Sequence, residues 1–148
     1  MDLPAGKVGF QTGTVMASAD EVHVKVKGQG GHGALPHELN DTVLAASNII
    51  MALQQVVSRR RNPFQPMTLS FGKFIADGAT NVIPSQVTLA GSLRCMEEEE
   101  RQKMLALIPQ IIQSTAAAYG CSCEIDRPDG YPCTISHESI TEMVRERA

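Results

Sequence analysis

Residues 20 to 37 read Asp20-Glu21-Val22-His23-Val24-Lys25-Val26-Lys27-Gly28-Gln29-Gly30-Gly31-His32-Gly33-Ala34-Leu35-Pro36-His37. Val22, Val24 and Val26 alternate with His23, Lys25 and Lys27. Side chains on a strand alternate between its two faces, so this pattern predicts a half-buried strand. A glycine loop follows it. Asn40 and Asp41 are then candidate N-caps, and Val43, Ala46, Ile49, Ile50, Leu53, Val56 and Val57 recur at helical spacing as far as Arg61. Pro63 and Pro66 close that element. Met67, Leu69 and Phe71 alternate as a second strand reaching Ala76, and Val87, Leu89, Gly91 and Leu93 as a third. Glu97 to Glu100 open a second helix, where carboxylates favour the positive end of the helix dipole. Its apolar positions run from Met104 through Ile112, and Gly120 is the expected stop. Pro109 should kink it or cost stability, because proline lacks the N–H a helix interior needs. Ser122 to Asp126 is a short final strand.

The order strand, helix, strand, strand, helix, strand is that of a split βαβ unit. It predicts an α+β, ferredoxin-like two-layer sandwich: a four-stranded antiparallel sheet with two helices on one face. Residues 1–19, with scattered glycines and no sustained period, fall outside it. So do residues 127–137, read as loop, and a weak helix over 139–147. We therefore expect three parts: a flank over 1–19, the sandwich over 20–127, and a second flank over 128–148.

At 148 residues the chain can bury a real core, and its 43% hydrophobic and 20% charged composition is that of a globular protein. A net charge of −3 leaves no footprint for nucleic acid. Arg59-Arg60-Arg61 stands where cations favour a helix C-terminus. No apolar run approaches the ~20 residues of a membrane helix, and Met1-Asp2-Leu3-Pro4 lacks a signal pattern. The cysteines at 95, 121, 123 and 133 form no Cys-x-x-Cys pair, which argues against structural zinc and for reduced thiols in a cytoplasmic protein.

Three polar islands stand out. His32 sits between glycines, which present an imidazole rather than bury it. Asn81-Val82-Ile83-Pro84 follows Asp77-Gly78 in a turn between the second and third strands. Arg94 ends the third strand; it either pairs with one of Glu97 to Glu100 or offers its guanidinium fork to a carboxylate. Gly28-Gln29-Gly30-Gly31-His32-Gly33 has the G-x-G-x-x-G spacing of dinucleotide sites, but Pro36 delays the helix and no acid follows at the required distance. His32 and His37 are five apart across a proline, which does not suit a metal pair on a helix.

Taken together, Gly30-Gly31-His32-Gly33-Ala34-Leu35-Pro36-His37, Asn81-Val82-Ile83-Pro84 and Gly91-Ser92-Leu93-Arg94 resemble zinc-dependent amidohydrolases that cleave N-acyl amino acids. Hippurate hydrolases, aminoacylases and indole-acetyl-amino-acid hydrolases belong to that group; carboxypeptidase G and succinyl-diaminopimelate desuccinylase are more distant. Gly13 to Asp20 looks like the exit from the catalytic domain of such an enzyme, and Gly130-Tyr131-Pro132-Cys133-Thr134 like the return to it.

The resemblance implies that this chain is the smaller, inserted dimerisation or lid domain. The two-zinc site and glutamate base would lie in a catalytic domain whose metal motif does not occur here. No metal or cofactor is expected on this chain, and by itself it should not hydrolyse anything. His32 would reach the partner subunit's site and stabilise the oxyanion, worth ~3 kcal/mol per donor. Asn81 and Arg94 would hold the substrate, and Gly78 would let backbone approach it. Two copies would pair through the second strand and first helix into a homodimer, with no nucleic-acid or membrane partner. Without the resemblance, a monomer with its edge blunted by Lys73 is the expectation. The competing function is a free-standing ferredoxin-like module for small-ligand binding or assembly, which fold alone does not distinguish.

Overall fold

A computed structural model describes residues 3–148, so the first two residues of the flank expected over 1–19 lie outside the described residues. The strands are β1 (Gly13–Met16), β2 (Asp20–Lys27), β3 (Gly31–His32), β4 (Met67–Ala76), β5 (Val82–Ile83), β6 (Gln86–Cys95), β7 (Ser122–Asp126) and β8 (Thr134–Ser136). The helices are α1 (Thr42–Gln55), α2 (Glu98–Ala118) and α3 (Glu138–Arg145).

The main sheet has the order β4-β6-β2-β7, with every neighbouring pair antiparallel. This is the expected ferredoxin-like sandwich. Val22, Val24 and Val26 lie opposite Gly91, Leu89 and Val87 in the register. All three valines are fully buried, with Ile49 and Leu53 of α1 and Ile108 and Ile112 of α2. The core thus lies between one sheet face and the two helices. Each fully buried aliphatic side chain of this kind stabilises by roughly 1.5–3 kcal/mol.

The helix ends follow their chemistry. Asp41 is the N-cap of α1, its Oδ1 accepting from the amides of Val43 and Leu44 at 2.9 Å. Past Gln55 the chain widens into a π-type turn over Val56–Arg60, closed by the Arg61 amide donating to the Val56 carbonyl. Gly120 adopts φ +67°. Around it the amides of Gly120 and Cys121 donate to the carbonyls of Ala117 and Ala116, which is a Schellman ending.

Pro109 does not break α2, which runs unbroken across it. Proline at that position leaves the Leu105 carbonyl without its usual donor, and Arg127 Nη1 donates to that oxygen. The compensation comes from 22 residues away, so helix periodicity does not reveal it.

The flanks are more structured than their sequence indicates. β1 pairs antiparallel with β8, and Ala19 bridges Tyr131. Strand Thr134–Ser136 therefore replaces part of the expected 127–137 loop, and strand Gly13–Met16 lies within the supposedly irregular first flank. Strands of three and four residues are too short to show a period, and their partners sit at opposite ends of the chain.

Candidate functional site

The glycine loop and the Asn81 turn meet through a two-residue ladder. Gly31 pairs with Ile83 and His32 with Val82, and the Gly33 amide donates to the Asn81 carbonyl at 2.8 Å. Val82 and Ala79 exchange backbone hydrogen bonds at 3.1 Å, closing the turn that displays Asn81. Three further contacts fix this tip. The Thr42 hydroxyl, fully buried, donates to the Pro84 carbonyl at 2.6 Å. The Gly28 amide donates to Ser85, and the Asn40 amide to Gln29, each at 3.0 Å.

The glycines have local reasons to be there. A Cβ on Gly30 would lie 2.4 Å from the Ile83 carbonyl oxygen, and one on Gly78 2.5 Å from that of Val82. The first would force the two loops apart, and the second would open the Asn81 turn itself. The turn thus needs Gly78 for its own closure.

His32 and Asn81 are both exposed. The Ala34 amide donates to His32 Nδ1 at 3.1 Å. A nitrogen that accepts is unprotonated, so the neutral ring carries its proton on Nε2. The outward atom of the imidazole is then an N–H donor, held by a backbone contact.

Arg94 is not part of this cluster. The tip adjoins the start of β6, and Arg94 is near its end. The rise from Gln86 to Arg94 separates them by roughly 26 Å. Arg94 is exposed and pairs with none of Glu97 to Glu100: Glu98 bridges Arg101 at 2.7 Å and Glu99 bridges Lys103 at 2.8 Å. Its Nη1 instead approaches the Ser18 carbonyl at 3.5 Å. It lines a hollow of about 340 Å³ with Glu21, Asp129 and Tyr131.

Beneath Arg94 is a polar cluster that sequence reading missed. Arg101 donates to both oxygens of Asp20, at 2.8 and 2.7 Å, and to Glu98 at 2.7 Å. Asp20 is 4% exposed and Arg101 8%. The Asp20 carboxylate, first among the causes, holds the guanidinium above its usual range. Fully buried Ser18 donates its amide to Cys95 O at 2.8 Å and accepts the Cys95 amide at its hydroxyl at 3.1 Å. A Cβ on Gly130 would meet Ala19 O and Asp20 Oδ1, each at 2.3 Å. The available signal was parity: Asp20 shares the inward face of β2 with Val22, and a buried carboxylate there demands a cation.

Among the described residues no group of three or more His, Cys, Asp or Glu side chains could hold a metal ion. The residues present do not fit a metal site. No helix of the described residues is long and apolar enough to cross a membrane.

Residues 17–120 match the family model of the peptidase dimerisation domain. The chain is 35% identical over 147 residues to the N-acetyl-L-cysteine deacetylase of Bacillus subtilis, covering 99% of this chain and 35% of that protein. It is 38% identical over 141 residues to the N-acetyldiaminopimelate deacetylase of Enterococcus faecalis, covering 95% and 37%. It therefore spans about a third of the length of these curated relatives. A structure from methicillin-resistant Staphylococcus aureus superposes with a TM-score of 0.89 at 33% identity, covering 95% of this chain and 38% of that one. The Bacillus subtilis YXEP protein, a dinuclear metal-binding peptidase of the M20 family, superposes at 0.73 with 26% identity, covering 98% and 35%.

Proposed function

The chain belongs to the M20 peptidase dimerisation domain family, and from that premise we propose that it is the dimerising lid of a metal-dependent amidohydrolase acting on N-acyl amino acids. The observation that carries this reading is the ladder joining His32 to Val82, which sets an outward N–H donor beside Asn81 at one exposed tip. Relatives described as deacetylases of N-acetylated amino acids support the substrate class. Residues 1–19 and 128–148 are flanks leading to and from a catalytic part, and 20–127 is the lid. The two metals, zinc in our reading, are held outside this chain, which alone is inactive.

His32 Nε2–H donates to the amide oxygen as negative charge builds on it, a contact stronger in the transition state than in the ground state. Asn81 orients the same group. Arg94 takes the substrate carboxylate. One copy holds His32 and Arg94 at opposite ends of its sheet, too far apart for one small substrate. Each pocket therefore takes Arg94 from its own chain and the His32–Asn81 tip from a second copy.

Edge strand β4 provides the route to that second copy. Its far half is exposed on both faces, with Phe74 at 40% and Ile75 at 49%. Leu44 and Met51, seven apart on the outer stripe of α1, are 49% and 70% exposed. Pairing β4 to β4 would continue the sheet and cover this apolar surface. A cytoplasmic location accords with free thiols.

The test is a chimera in which this chain replaces the matched third of the Bacillus subtilis N-acetyl-L-cysteine deacetylase. Hydrolysis by a dimeric chimera, lost with His32→Ala, is expected. A folded, dimeric chimera whose rate ignores His32→Ala would overturn the reading.

A further inference from the structure

Cys95 ends β6, and Cys133 lies on the returning segment just before β8. The Cys133 thiol donates to the Cys95 carbonyl oxygen at 3.1 Å. That carbonyl also receives the Ser18 amide at 2.8 Å. Both segments that pass between the sheet and the flanks thus converge on one residue. The Cys133 sulfur thus lies against the backbone of the residue that carries the second thiol. Cys95 is 1% exposed and Cys133 partly exposed, and both are free thiols.

We propose that Cys95 and Cys133 form a redox-modification site, a disulfide that ties the returning flank to the end of β6. The oxidant is a small-molecule disulfide. The accessible Cys133 thiolate attacks one of its sulfurs, forming a mixed disulfide and releasing one thiolate. Cys95 gives its proton to solvent and attacks the Cys133 sulfur, releasing the second thiolate. Two protein thiols are oxidised to one disulfide, and the reagent is reduced to two thiols. Cys95 is the second to react: burial foremost, then the Asp20 carboxylate and Cys133 itself, push its thiol up to about 11. The link would restrain movement between sheet and flank where Ala19 and Tyr131 already bridge. It does not depend on the hydrolase reading.

The experiment exposes the full chain to oxidised glutathione and follows intact mass, titratable thiols and disulfide-linked peptides. The four free thiols should fall to two, with loss of two hydrogens and a peptide joining Cys95 to Cys133. Cys133→Ser should abolish that peptide, and Cys121→Ser should retain it. A glutathione adduct left unresolved on Cys133, a link through Cys121 or Cys123, or four thiols still free would overturn the proposal. Mapping the unsubstituted chain decides it even if a variant misfolds.

Discussion

At the flank end of the sheet, Ser18, Asp20 and Arg101 are buried, with Asp20 and Arg101 paired through their side chains and Ser18 bonded to the Cys95 backbone. At the opposite end, His32 and Asn81 are exposed, and backbone hydrogen bonds from neighbouring segments hold their loops in place. In the first region polar side chains are the structural material, so removing one leaves a desolvated partner. In the second the side chains are free for other work, and the structural demand falls on glycines and carbonyls. A polar cluster that holds the fold and one left exposed at a loop tip can look alike in sequence, and burial separates them.

The hardest test of that contrast is Asp20→Ala. It takes from the buried Arg101 guanidinium the carboxylate that accepts two of its hydrogen bonds, leaving only Glu98, and should cost ~3–5 kcal/mol of unfolding free energy by denaturant titration. A loss under 1 kcal/mol would mean the pair behaves as a surface bridge. Thr42→Val probes the other end. It removes the donor to the Pro84 carbonyl and should cost ~1–3 kcal/mol, and amide exchange should loosen at Val82 and Ile83. Arg127→Ala should cost only ~0.5–1 kcal/mol. That loss should shrink in the Pro109→Ala background, where Leu105 regains a helical donor, as a double-mutant cycle would show. His32→Ala should leave stability within ~0.5 kcal/mol, while turnover of the chimera falls ~10²–10³-fold. A large stability loss there would make His32 a structural residue.

The sandwich was legible because its signals are long. Ten residues of β4 and the five of β7 have the expected bounds. Asp41 and Gly120 act as the caps their chemistry indicates. What escaped notice depends on long-range pairing: β1 with β8, Arg127 with the Leu105 carbonyl, Arg101 with Asp20. Of the site, the three polar islands were legible, but the two-residue ladder that brings His32 to the Asn81 turn is too short to show a period. The distance from the Asn81 turn to Arg94 was within reach of the sequence, because the two lie at either end of one strand, β6.

That distance gives the central claim its most direct measurement. In the chimera, His32→Ala chains and Arg94→Ala chains, each inactive as a homodimer, would be mixed, unfolded and reassembled together. If a pocket joins one copy's Arg94 to the other copy's His32, half of the pockets in mixed dimers are whole, and activity returns to about a quarter of the unsubstituted level. If both residues serve the pocket of their own chain, every pocket lacks one of them. Activity then stays at the level of the inactive homodimers, which would contradict the account.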